Sequence, residues 1–150
     1  MPTASHPSSP APGDFRPGRY LTIALKEASR STCRFRVGAV LVKGGRILSR
    51  SCNRRRNSPH TDFRHATFHA EEMLMRSTDA PRRAVVYVAR LGNSGVPLLA
   101  RPCLRCQRLL QSCGVTVVHY TTDAGADTLR MHQLRSLLLL PRSRRKRKSS

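Results

Sequence analysis

Tryptophan is absent from this chain, and its aromatic rings are confined to three Tyr and four Phe. So few rings do not advertise an extended surface on which successive bases of a single strand could stack. Acid is scarce as well, with eight Asp and Glu against 28 Lys and Arg. No run of 18 apolar residues occurs, so no membrane-spanning helix is expected. The chain opens Met1-Pro2-Thr3 without a charged segment followed by an apolar one, so the expectation is an intracellular protein and not a secreted one. Five cysteines are an odd count and do not suggest a disulfide framework. Cys33, Cys52 and Cys113 have no special spacing and read as small buried hydrophobes.

What is present in excess is positive charge. The formal net charge is +20. Six basic residues fall between Arg142 and Lys148, yet residues 19–140 still carry 21 Lys and Arg against 7 Asp and Glu. Such a field concentrates anions, nucleotides and polynucleotides among them. Arginine supplies 24 of the 28 basic residues, a bias that a GC-rich genome would also produce. The tail RSRRKRKSS suits non-specific nucleic-acid binding, nuclear import in a eukaryotic host, or simple solubilisation.

Residues 1–17 hold five Pro with Ser, Ala and Gly, and read as a disordered segment. Residues 141–150 read as a disordered basic tail. One folded domain is therefore expected over 18–140. Within it, Tyr20 to Ser31 has helical periodicity and Val37 to Val42 is a buried strand. Lys43-Gly44-Gly45 is a turn, and Arg46 to Cys52 its antiparallel partner. Residues 54–65 read as a loop and Thr67 to Ser77 as a helix. Ala84 to Leu91 is a strand, 92–97 a loop, and a helix runs from Pro102 to about Cys113. Val115 to Thr121 is a further strand. After Gly125 the pattern is ambiguous: Leu129 and Met131 alternate as in a strand, while Arg135 to Leu140 suits a helix. Strands alternating with helices predict an α/β fold, with a mixed sheet of about five strands between two helical layers.

Two fragments carry chemistry, His69-Ala70-Glu71 and Pro102-Cys103-Leu104-Arg105-Cys106. Each is weak alone, since a single CxxC also serves redox pairs and a structural zinc knuckle needs four protein ligands. Cys103 and Cys106 at i and i+3 face the same way, at a helix start that favours thiolates. With His69 they make three ligands, and three ligands plus an open position is the catalytic zinc pattern. Zinc so held lowers the pKa of a bound water. Glu71, two residues from a ligand, is placed to move that water's proton.

The pattern HxE…PCxxC is the signature of zinc deaminases. With it the chain resembles the cytidine and deoxycytidylate deaminase superfamily across roughly residues 19–125. VGAVLVKGGRILSRSCN resembles that family's first hairpin. PCLRCQRLLQSCGVTVVHYTTDAG resembles its ligand helix, the following strand and a Gly-ended loop, nearest to compact dCMP-type and phage or viral members. The resemblance implies a three-layer α/β/α deaminase domain, a zinc cofactor, and loss of an exocyclic amine from a nucleobase. It implies that Asn53 hydrogen-bonds the sugar or base edge, that the Ala70 backbone N–H contacts the pyrimidine carbonyl, and that oligomers are common. Gly38 reads either as a close approach to substrate or zinc, or as a glycine packing helix on sheet. Departures are Arg101 before the PC motif, Glu72 after HAE, and the basic loop 54–66. In that loop Arg54, Arg55 and Arg56 are expected to meet substrate phosphate or to be solvated. His60 and His65 are not expected to hold a second metal, and His119 reads as a strand histidine.

Three functions stay open at this point. One is deamination of cytosine in a free nucleoside or nucleotide, such as cytidine, deoxycytidine or dCMP. Another is deamination of cytosine in DNA or RNA. The third is a catalytically silent, zinc-containing nucleic-acid-binding protein, which would have no need of Glu71.

Overall fold

A computed structural model of the chain describes residues 17–55, 67–80 and 82–131. The expectations for residues 1–16, for Arg56, His60 and His65, for a helix at 135–140 and for the basic tail lie outside the described residues. The elements are α1 (Arg19–Ser29), β1 (Arg36–Lys43), β2 (Arg46–Cys52), β3 (Arg54–Arg55), β4 (Thr67–Phe68), α2 (Ala70–Ser77), β5 (Val85–Leu91), β6 (Pro97–Leu98), α3 (Leu104–Ser112), β7 (Val117–Thr122) and β8 (Gly125–Arg130).

Five strands lie in the order β2-β1-β5-β7-β8, with the short β6 added to β5. Among the described residues only the β5–β7 pairing is parallel, and α3 lies in the connection between them. The α/β fold with a mixed sheet of about five strands is thus as expected. Alternation along β1 sorts its side chains to two faces. Ala39 and Leu41 join Leu74 of α2 and Leu110 of α3 in the larger core cluster. Val40 and Val42 join Ala24 of α1 in the smaller one. Helices therefore cover both faces, α1 on one and α2 with α3 on the other. No described helix is long and apolar enough to cross a membrane.

The β1–β2 hairpin turns on Gly44 and Gly45, with φ of 55° and 75°. Two successive positive φ values make the primed turn whose twist matches a two-residue hairpin. Tyr20 of α1 donates its hydroxyl to Gly45 O at 2.8 Å, tying helix to turn.

Gly38 sits where β1 passes beneath α1. A Cβ there would lie 2.1 Å from Ala24 O and 2.4 Å from Ala28 N. The close approach that this glycine permits is to the helix backbone. Of the two readings of Gly38, this approach supports helix–sheet packing. Gly38→Ala should cost at least about 1–3 kcal/mol by overpacking, read as a fall in thermal midpoint.

Several boundaries differ from expectation. The helix expected from Thr67 begins at Ala70, because Thr67 and Phe68 pair as a strand with Arg55 and Arg54. Phe68 lies under the Arg76 guanidinium, 4.4 Å from its ring centroid, and adds no bulk to a helix. The helix expected from Pro102 begins at Leu104, since Pro102 uses its carbonyl to accept Gln107 Nε2 at 2.8 Å. Pro97, expected to end a loop, joins Leu98 in a short strand at the sheet edge beside Leu91 and Arg90. After Gly125 the strand pattern prevails, through Arg130.

Candidate active site

The two chemical fragments meet at the starts of α2 and α3. His69 is the N-cap of α2 and Cys103 that of α3, both with extended backbone. Ser51 on β2 donates its hydroxyl to Ala70 O at 2.7 Å, anchoring the first helix to the sheet. The second is placed by Thr121 of β7. Its hydroxyl donates to Leu98 O at 2.7 Å and its carbonyl accepts Ala100 N–H at 2.9 Å. That pairing leads the chain across the strand end into Pro102 and Cys103.

His69 Nδ1 lies 3.6 Å from Cys103 Sγ and 3.3 Å from Cys106 Sγ. All three donor atoms fall within 4.8 Å of one another. Tetrahedral zinc with Zn–S near 2.3 Å and Zn–N near 2.0 Å requires S and N ligands about 3.5 Å apart. The charges point the same way. Burial first, then the Glu71 and Cys103 charges, push the Cys106 thiol far up from its usual pKa. Groups that would be anions are crowded here in low dielectric, and a dication is what reconciles them. The donor set fits zinc, with His69, Cys103 and Cys106 holding it and no fourth protein ligand among the described residues.

Glu71 lies one residue into α2 and is 4% exposed. Burial pushes its carboxyl up to about 7, with Glu72 adding to the rise and hydrogen bonds to its own backbone and Cys106 opposing it. A carboxyl so placed is in position to accept a proton and hand it on.

A cavity of about 290 Å³ opens beside these groups. Its walls include His69, Ala70, Glu71, Cys103, Asn53, Val37 and Phe35, with Arg90 and Arg101 among them. Asn53 is nearly saturated. Its Oδ1 accepts Val37 N–H at 3.0 Å and the Ser31 hydroxyl at 2.6 Å, and its Nδ2 donates to Phe35 O at 2.6 Å. Val37 N–H can only donate and Phe35 O can only accept, so the amide orientation is fixed. One Nδ2–H is left over by this inventory, on a residue of the cavity wall. Ala70 presents the first N–H of a helix, one of those with no partner inside the helix.

Arg54 and Arg55 are exposed on β3 and are not part of the cavity wall. Among the described residues, the cations that the structure brings there are Arg90 and Arg101. Sequence reading passed over Arg90 because it sits inside an apolar strand, and Arg101 stood out only as a departure. Phe35 is 56% exposed, with the Arg90 and Arg34 guanidinium groups 4.7 and 5.5 Å from its ring centroid. Neither residue type nor spacing could have announced that cluster.

Several known proteins are similar to this one. Crystal structures that resemble it include the dCMP deaminase of cyanophage S-TIM5, with 24% identity and TM-score 0.54 over 69% of this chain and 79% of that one. The cytidine deaminase of Burkholderia pseudomallei matches with 17% identity and TM-score 0.56 over 77% and 92%. That of Mycobacterium leprae matches with 25% identity and TM-score 0.52 over 77% and 92%. No curated protein sequence matches significantly. Residues 17–122, which span α1 to β7 and all three donors, match the family described as the cytidine and deoxycytidylate deaminase zinc-binding region, and to that family this chain belongs.

Proposed function

We propose that this protein is a zinc-dependent hydrolytic deaminase that converts cytosine to uracil in a free nucleoside or nucleotide, with a phosphate-bearing substrate preferred. The observation that carries the reading is the placement of Glu71, buried at the cavity wall beside the three donors. Zinc in a three-ligand site supplies Lewis acidity that brings the ionisation of water toward neutrality. The chain's own residues do the rest. Glu71 takes a proton from the water that attacks C4 and delivers it to the ring nitrogen; it then takes the proton of the new C4 hydroxyl and passes it to the amine as the C4–N bond breaks and the C4 carbonyl forms, so that water and cytosine become uracil and ammonia. Ala70 N–H and the remaining Asn53 Nδ2–H hold the base carbonyl and the sugar or base edge.

Arg90 and Arg101 support the preference for phosphate, since among the described residues they place two guanidinium groups on the cavity wall beside the buried Glu71. The S-TIM5 dCMP deaminase has been solved in complex with dCMP and dUMP. Changing both Arg90 and Arg101 to Gln should raise KM for dCMP by about 100-fold or more, at about 1.5–3 kcal/mol for each charged hydrogen bond. The KM for deoxycytidine should stay within about twofold. Changing Arg54 and Arg55 should do less to both. Equal effects on nucleoside and nucleotide would remove the phosphate role.

The second reading, a polynucleotide deaminase, is favoured by one observation. Phe35 is exposed at the cavity mouth between Arg34 and Arg90, and could stack a base next to the target. Single-stranded oligonucleotides containing one cytosine, tested beside dCMP and deoxycytidine, decide between the two. A silent zinc-containing nucleic-acid-binding protein is the reading that Glu71 argues against, and turnover of no cytosine substrate would restore it.

A further inference from the structure

The two segments that carry the zinc ligands are distant in sequence, and each ligand at a helix start is a capping residue. His69 and Cys103 are gripped by helical hydrogen bonds on one side only. Their positions depend on whatever fixes the two helix starts against each other.

We propose that Glu72 and Arg105 form a clasp that aligns the two ligand-bearing helix starts and slows loss of the metal. Glu72 Oε1 accepts the His69 backbone N–H at 3.3 Å, closing the capping box of α2. The same oxygen pairs with Arg105 Nη2. Arg105 lies between Cys103 and Cys106 in the sequence. One carboxylate oxygen thus joins the main chain of the first ligand to the residue between the other two, across 33 positions. Glu72 is well suited to this, because its side chain is only 13% exposed and the pair is partly desolvated. A carboxylate between two helix N-termini also meets the positive end of both dipoles. Neither residue belongs to the cavity wall, so the pair acts through the ligands and not on substrate.

The clasp rests on the zinc assignment and not on which base is deaminated, so it is tested without substrate. Zinc-loaded wild type, Glu72→Gln, Arg105→Met and the double variant are mixed with excess chromophoric chelator, and the rate of zinc release is followed. Each single change should speed release by about 10-fold, the lower end of what outer partners of metal ligands contribute. The double variant should release no faster than the quicker single one, because each change breaks the same link. Arg105→Lys should restore part of the retention.

A helix cap acting alone gives a different result. Glu72→Gln would then act equally with Arg105 present or replaced, and the two effects would multiply. That outcome, or wild-type release from Arg105→Met, overturns the clasp. Arg105 is half-exposed, so Arg105→Met should melt within a few degrees of wild type and a folding defect will not mimic the effect. A wild-type chain that binds no zinc overturns the metal assignment and the clasp together.

Discussion

Replacing Glu71 by Gln should leave zinc in place and lower kcat by about 10²–10⁴-fold, the usual range for removal of a general acid–base. The amide matches the carboxyl in size and fits the same buried space. It cannot accept a proton from water or hand one to the ring. Its effect on the fold should be small. Burial already disfavours the ionised carboxylate, which is why the carboxyl is pushed up to about 7. A neutral amide carries no such penalty but forgoes attraction to the zinc charge, so the thermal midpoint should stay within a few degrees of wild type. Metal content by atomic absorption and turnover by ammonia release check the two halves separately. Turnover near wild type with Gln at position 71 would remove Glu71 from the reaction.

Cys106→Ala should abolish stoichiometric zinc and bring deamination to background. Partners behind metal ligands are worth about 10–100-fold in affinity, so loss of a direct ligand should exceed about 100-fold. The position makes replacement by another donor difficult. Cys106 is 0% exposed on the inner face of α3, out of reach of solvent. Cys103 is exposed, and its loss should be the milder of the two because water can approach that vertex. The Cys106→Ala protein should still fold, since it loses only one buried thiol. Purified Cys106→Ala carrying one zinc per chain would sink the ligand assignment.

The features that sequence disclosed are those in which a local pattern carries the structural reason. Gly44-Gly45 between apolar runs specified the hairpin, because only primed turns fit a two-residue link and glycine supplies their positive φ. His69, Glu71, Cys103 and Cys106 stood out because metal chemistry restricts residue type and spacing at once. Boundaries were less legible where tertiary pairing decided them. Thr67 and Phe68 have no local reason to leave a helix, but β3 offers them a ladder. Gly38 could not be assigned from the strand alone, since nothing in VGAVLV says which helix crosses it. Arg90, Arg101 and Phe35 come from a strand, a connection and a loop. Their meeting at one cavity is a product of the fold, with no trace in any window of sequence.

The ligands come from opposite sides of β5 and β6 in the chain, with His69 and Cys106 separated by 37 positions. A metal bound to all three is therefore a cross-link as well as a reagent. It closes a loop that contains a central strand of the sheet, and it binds the assembled site far better than the open chain. Zinc supply thus governs more than catalysis. When zinc is scarce the same molecules lose a constraint on their unfolded ensemble, and are exposed to proteolysis in proportion to the fraction that opens. The amount of this protein in a cell would then follow zinc availability through the three side chains that bind the ion.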